Sequence, residues 1–161
     1  MINQNNLNQI FNYKDGSLYW KVKTSKKVMV GDKVGCLGAD GYIRLKINKK
    51  SYLLHRVIFC MFNGYMPKNA DHIDCNKANN TIENIREAAP HQNSCNRKIV
   101  SNNTSGVKNV CWHKVAKKWQ VRVTANKTLL NIGLFDNIEL ADLVAQMARE
   151  KYHGQYANHG V

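Results

Sequence analysis

Residues 70–93 read ADHIDCNKANNTIENIREAAPHQN. Asn, Asp and His crowd this stretch and extend over residues 67–98, a composition poor for helix or strand interiors and good for a loop whose side chains bond its own backbone. On residue types alone two readings stand side by side: a side-chain-capped turn, or a polar site able to handle protons and a cation.

The flanks frame the loop. Upstream, LLHRVIFCMF (residues 53–62) reads as a helix ended by Asn63-Gly64. Earlier still, LYWKV (18–22) and YIRLKI (42–47) read as strands, each preceded by turn-formers, Lys14-Asp15-Gly16 and Asp40-Gly41. In YIRLKI alternation sets Tyr42, Arg44 and Lys46 on one face and Ile43, Leu45 and Ile47 on the other. Downstream, the polar run from Ile99 to Gly106 reads as a linker. VKNVCWHK, KWQVRVTAN and TLLNIGLF then read as three strands, with turns at Val115-Ala116-Lys117 and Asn126-Lys127. A final helix is capped by Asn137, carries Glu139 in its first turn and presents Ala141, Val144, Ala145, Ala148 and Tyr152 on one face. The expectation is an α+β chain: a β-rich N-terminal arm and central site over 1–98, a linker at 99–106, and a sheet-plus-helix domain over 107–161.

Composition narrows the function. The chain has 161 residues, 43% of them apolar, with two prolines and no low-complexity tract, which suits a folded protein of one or two small domains. Lys and Arg outnumber Asp and Glu 24 to 11, a formal charge of +13 that calls for a polyanion such as nucleic acid. No acidic residue lies between Glu87 and Asp136, where Arg97, Lys98, Lys108, Lys114, Lys117, Lys118, Arg122 and Lys127 supply eight positive charges. No apolar run nears the roughly 20 residues needed to span a bilayer, and the polar start MINQNNLNQI has no signal-peptide core. A soluble, intracellular (cytoplasmic) protein without a membrane partner is expected. The cysteines at 36, 60, 75, 95 and 111 are odd in number and widely spaced, so they read as reduced thiols without a zinc knuckle.

The central stretch resembles the H-N-H endonuclease family, in particular its small phage and intron-associated members, through HR, DHID, NN followed by EN, REA and QN. The likeness extends back through LLHRVIFCMFNGYMPKNA. It implies a ββα-metal motif over about 54–98, with Asp71 and His72 at the end of its first strand, Asn84 in its middle and Asn93 on its closing helix. The catalytic set it implies is His72 as general base, Asp71 and Asn93 as protein ligands of one divalent cation, and Asn84 bracing the loop that orients His72. Two hard oxygens favour Mg²⁺ or Mn²⁺ over Zn²⁺. Arg97 and Lys98, together with Asn96, fall where backbone phosphates would be held, and His55 and Arg56 are candidates for support behind the site. Relatives commonly carry glycine where this chain has Cys75, a position whose turn calls for positive φ.

Residues 105–159 resemble the DNA-binding domain of plant ethylene-response factors (AP-two type) through KW, IGLF, the alanine-bearing helix and YHGQYA. That family lays its sheet in the major groove of double-stranded DNA. Alternation sends Trp119, Val121 and Val123 toward the helix and Gln120, Arg122 and Thr124 outward. Arg122 is the candidate for reading guanine, with Lys108, His113, Lys114, Lys118 and Asn131 as further contacts, while Trp112 is open between core packing and stacking. Together the two resemblances imply a sequence-targeted DNA endonuclease of phage or mobile-element (homing) type, without a small-molecule cofactor. A monomer would nick one strand per engagement, and a dimer would cut both. The competing readings are a DNA-binding regulator with a decayed nuclease motif and a basic RNA-binding structural protein.

Overall fold

Asn3 opens the first element: its side chain accepts from the Asn6 amide and caps helix α1, Gln4–Ile10. Sequence reading gave no helix here, because the segment is almost wholly polar; the buried Leu7 and the partly buried Ile10 hold it in place. The computed structural model describes residues 2–160. After α1 come a hairpin of β1 (Phe11–Lys14) and β2 (Ser17–Trp20), then an antiparallel sheet of β3 (Cys36–Leu37), β4 (Ile43–Ile47) and β5 (Lys50–Leu53). Helix α2 spans Leu54–Asn63, and Gly64 closes it in the left-handed conformation at φ +86°, which asparagine-glycine at its end predicts. Leu7, Phe11, Leu18, Val34, Leu45, Ile47, Leu54, Val57, Ile58 and Ile85 form one buried cluster, so the arm and the central motif share a core.

The central stretch is a ββα arrangement. β6 (Ala70–His72) pairs antiparallel with β7 (Ile85–Glu87), a 3-10 turn at Ile82–Asn84 leads into β7, and helix α3 spans Pro90–Cys95. Further on, β8 (Val110–His113), β9 (Lys118–Ala125) and β10 (Thr128–Phe135) make an antiparallel sheet in the order β10-β9-β8, followed by helix α4, Ile138–His153. Val110, Val121, Ala141 and Ala145 form the core between that sheet and α4, the alanines allowing close approach. Asn137 caps α4 by accepting from the Glu139 and Leu140 amides. The expected inward face of α4 holds at Ala141, Ala145 and Ala148 but not at Tyr152, which is exposed; Arg149 is buried instead and donates to the Lys108 carbonyl at 2.6 Å.

The chain forms two compact units, Met1–Ala89 and Pro90–Val161. The division precedes α3, upstream of the expected linker at 99–106. Within the second unit the reason is local: Lys108 Nζ donates to the carbonyls of Cys95, Arg97 and Asn158, and Asn158 donates to Asn96. The expected linker is itself an ordered turn in which Asn103 accepts from the Gly106 amide and Ser105 donates to the Val110 carbonyl.

Candidate active site

Strand β6 ends on Asp71 and His72, both buried although polar. Burying such groups is costly unless they are bonded. Asp71 stands opposite Arg86 in the β6–β7 register, and Arg86 donates to Asp71 Oδ2 through Nε (3.1 Å) and Nη2 (2.9 Å). His72 Nε2 lies 3.0 Å from Asn80 Oδ1. The Asn80 amide nitrogen donates to the Ala78 carbonyl at 3.1 Å, which turns the amide oxygen toward the imidazole. An oxygen can only accept, so Nε2 donates a ring proton in this bond, and in the neutral ring Nδ1 is the basic nitrogen.

Two further rings wall this imidazole. His55, from the first turn of α2, meets His72 edge to face with centroids 4.6 Å apart, and Tyr42, just before β4, lies 5.5 Å from His55 and 6.1 Å from His72. His55 is 2% exposed. Burial, with the nearby His72 and Arg56, lowers its pKa to about 3, so it is neutral at physiological pH. Burial also pushes the Tyr42 phenol up. Lys77 lies 4.6 Å over the Tyr42 ring and donates to the Asp40 carbonyl. Arg56 donates twice to the Pro67 carbonyl, holding the chain that leads into β6.

The loop between His72 and β7 is stitched by its own asparagines. Asn84 is buried; its amide nitrogen donates to Asp74 Oδ1 and to the Asn79 carbonyl, both at 2.8 Å, and its amide oxygen accepts from the Asp74 amide at 3.0 Å. Burial opposes ionisation of Asp74, but donation by Asn79, the Asn76 amide and Asn84 outweighs it and holds the carboxyl below its usual range. Cys75, at φ +60°, makes the turn that follows. The β1–β2 turn packs on the same loop, with Tyr13 Oη accepting from the Ile82 amide.

The structure thus brings together Asp71, His72, Asn84, His55 and Arg56 of the sequence candidates. Asn93 is exposed on α3, in the second compact unit. Sequence reasoning missed Asn80, although the doubled Asn79-Asn80 carried its signal. It also missed Tyr42, which alternation had placed on the face opposite Ile43 and Leu45.

In the second unit, Gln120 donates to Asn131, and Arg122, directly opposite Asn131, reaches the Cys111 thiol at 3.3 Å. Gln120, Arg122 and Asn131 therefore share one face of the sheet, and the exposed Thr124 follows Arg122 along it. Trp112 stands across from Trp119 in an edge-to-face contact. Lys118 pairs with Asp136, and His113 Nδ1 accepts from the Ala116 amide in the turn that carries the exposed Lys114. Arg97 and Lys98 are exposed, whereas Asn96 is buried and Lys108 is occupied by carbonyls.

The HNH endonuclease family matches residues 52–95, the span that holds α2, the stitched loop and α3. The chain is 39% identical over 97 residues to Protein 3.8 of Escherichia phage T7, covering 59% of this chain and 79% of that protein. Residues 52–95 are thus an HNH endonuclease domain. An uncharacterised HNH endonuclease of Acanthamoeba polyphaga mimivirus is 33% identical over 125 residues, 75% of this chain and 63% of the relative. No solved structure matches. That span includes the polar cluster of β6 and its loop, and an HNH endonuclease domain implies DNA binding. Among the described residues no helix is long and apolar enough to cross a membrane.

Proposed function

We propose that this chain is a metal-dependent DNA endonuclease of phage or mobile-element type that nicks one strand per engagement. The observation that carries the reading is the His72–Asn80 bond, which fixes a buried imidazole through Nε2 on the strand that also carries the buried Asp71. A buried histidine locked in one tautomer suits a general base better than a surface switch.

Nuclease members of this family work with a divalent metal. Among the described residues no three His, Cys, Asp or Glu side chains cluster as a metal cage. A hard oxygen pair, with the other positions filled by water and phosphate, fits Mg²⁺ or Mn²⁺. Asp71, a buried carboxylate paired with Arg86, is the first unit's oxygen donor for the ion, and Asn93 is a ligand only by the family resemblance. Bound there, the ion would offset charge on the phosphate and the leaving oxygen.

His72 Nδ1 takes a proton from water as the water oxygen bonds to phosphorus. The P–O3′ bond breaks with its electron pair on the 3′ oxygen, which takes a proton from solvent water to become a hydroxyl, and the phosphate stays on the 5′ end. The proton then leaves His72 to solvent. Asn80 and Asn84 act by position only, the first through the His72 tautomer and the second through the loop.

In this reading the β8–β10 face, with Arg122, Gln120, Thr124, Asn131, Lys114 and Lys118, targets the duplex, as the likeness to the ethylene-response-factor domain suggests. Arg97 and Lys98 add phosphate contacts, and Lys108 serves the second unit's own structure. The test is supercoiled plasmid with and without Mg²⁺. Open-circular product that needs metal and disappears in His72→Ala, with duplex binding retained, is the expected result. Equal loss of binding and cutting in that variant would make His72 structural.

A further inference from the structure

The acid-free stretch is not the chain's only basic region. The first fifty residues hold ten Lys and Arg against three Asp and Glu, and five of the lysines (21, 23, 26, 27, 33) fall in the segment 21–33 that leaves β2. That segment is an ordered excursion with a fixed root. The amides of Lys21 and Trp20 donate to the Ile10 and Asp32 carbonyls, Gly31 donates back to Trp20, and Val34 donates to Leu18. Lys21 Nζ is spent on the Asn8 carbonyl, while Lys23, Lys26, Lys27 and Lys33 are exposed.

The tip is apolar. Met29 and Val30 are 60% and 65% exposed. A tight turn presents them: the Asp32 amide donates to the Met29 carbonyl, and the Asp32 carboxylate accepts from the Met29 amide at 2.7 Å. Asp32, the only acid between Asp15 and Asp40, is bonded into the turn and is outnumbered by the lysines around it in sequence. Two adjacent exposed apolar side chains ringed by cations have no purpose in the core, and they offer too little area to anchor on a lipid surface.

The loop also has a defined relation to the nuclease site within its own unit. At one end of β2, Gly16 packs against Asn80 and Thr81; at the other, Trp20 launches the loop. Four residues of strand separate the two ends by about 13 Å, well inside one duplex turn of about 34–36 Å. The loop's root is therefore close enough to the site loop for one duplex to engage both.

We propose that loop 21–33 is a DNA clamp whose four free-standing lysines hold backbone phosphates while Met29 and Val30 enter the minor groove as a wedge beside the cut. The inference rests on the nuclease reading for where the duplex lies. Charge selects the polyanion, and an apolar pair at the tip of a stiff turn matches the side chains that unstack a base step from the minor groove. A base step opened next to the site would bend the strand that is cut.

The experiment uses the full chain, a mixed-sequence duplex labelled at both ends for energy transfer, and the plasmid nicking assay. Neutralising the clamp (Lys23, Lys26, Lys27 and Lys33 each to Gln) is expected to flatten the slope of log affinity against log salt by about 3–4. Met29→Ser with Val30→Ser is expected to keep the slope, weaken binding about tenfold and abolish the end-to-end change on binding. All six positions are exposed, and unchanged melting temperatures will confirm that both variants fold. An unaltered slope in the first variant overturns the proposal. So does an end-to-end change that survives in the second or is absent from the wild type, or a preference for single-stranded RNA or anionic vesicles over duplex. His72→Ala should leave slope and bend intact. If the wild type bends duplex through this loop yet never nicks plasmid in Mg²⁺, the nuclease reading fails and the clamp stands.

Discussion

His72 Nε2 and Asn80 Oδ1 lie 3.0 Å apart, and the Ala78 carbonyl fixes which end of the Asn80 amide faces the ring. The proposed base is therefore held by a residue eight positions along a loop that has little regular structure of its own. Loops of this kind hold a geometry only if every polar atom has a partner, and the asparagines at 79, 80 and 84 supply those partners.

Asn80→Ala is expected to reduce single-turnover nicking by about 10–100-fold while duplex affinity holds, since the ring keeps its place but loses its tautomer. Asn80→Asp tests the same bond by charge. A carboxylate there stabilises the imidazolium, so a base that must be neutral becomes active only at higher pH, and the acid limb of the pH–rate profile moves upward. A profile that does not move in Asn80→Asp would separate Asn80 from the base.

Gly16 lies far from the family motif in sequence yet touches the site loop. A Cβ added there would come within 2.8 Å of the Thr81 nitrogen and 2.9 Å of the Asn80 carbonyl carbon, both backbone atoms, at a φ of +73°. Gly16→Ala is expected to cost about 1–3 kcal/mol in urea unfolding. It should also slow nicking more than it weakens duplex binding, because the Asn80 backbone must shift. Unchanged stability with unchanged rate would mean that the β1–β2 turn yields instead.

Cys75 pays for a conformation that glycine adopts freely. At φ +60° a side chain costs on the order of 1 kcal/mol, partly offset by the larger chain entropy of glycine when unfolded. Cys75→Gly should therefore stabilise the chain by up to about 1 kcal/mol with nicking retained, read as a higher urea midpoint at constant slope.

His55 gives the fold an acid sensitivity of its own. Its folded pKa is about 3, while an unfolded histidine titrates near about 6.5. Between those values the unfolded chain binds a proton that the folded chain refuses, so stability falls as pH falls, by about 1.4 kcal/mol per unit for this group, and is intact above about 6.5. His55→Phe should flatten the dependence of the urea midpoint between pH 6.5 and 4.5 relative to wild type. Parallel curves would assign the acid loss to other groups.

Much of this was legible in the sequence where one rule dominated. Alternation gave β9 its inward Val121 and Val123, Asn137 and the alanines gave α4, and Asn63-Gly64 gave the end of α2. Helix α1 was not legible, because it is anchored by the buried Leu7 and the partly buried Ile10 among polar residues rather than by a periodic face. Tyr152 was misplaced because the buried Arg149 takes the inner position and satisfies the Lys108 carbonyl there. Within the candidate site, type and spacing single out Asp71 and His72, and the structure buries both. The roles of Asn80, Tyr42 and Gly16 depend on contacts between segments that no local pattern encodes.

The lysines and arginine of the second unit are not equivalent, and their environments sort them. Lys108 donates to three carbonyls, so Lys108→Ala should lower stability, leaving those acceptors unpaired, before it changes any salt dependence. Lys114 stands exposed on the β8–β9 turn. Its removal should weaken binding to target and scrambled duplexes alike and flatten the salt slope by about 0.9, the signature of one phosphate contact. Arg122 lies on the sheet face opposite Asn131 and beside Cys111. If its planar fork reads a guanine, Arg122→Ala should lose about 1–3 kcal/mol at one base position and little elsewhere. Binding of all three variants to a selected target and its scrambled form, at several salt concentrations and alongside melting curves, distinguishes these outcomes. Identical losses on both duplexes for Arg122→Ala and Lys114→Ala would reduce the sheet face to a non-specific phosphate grip and move target choice elsewhere in the chain.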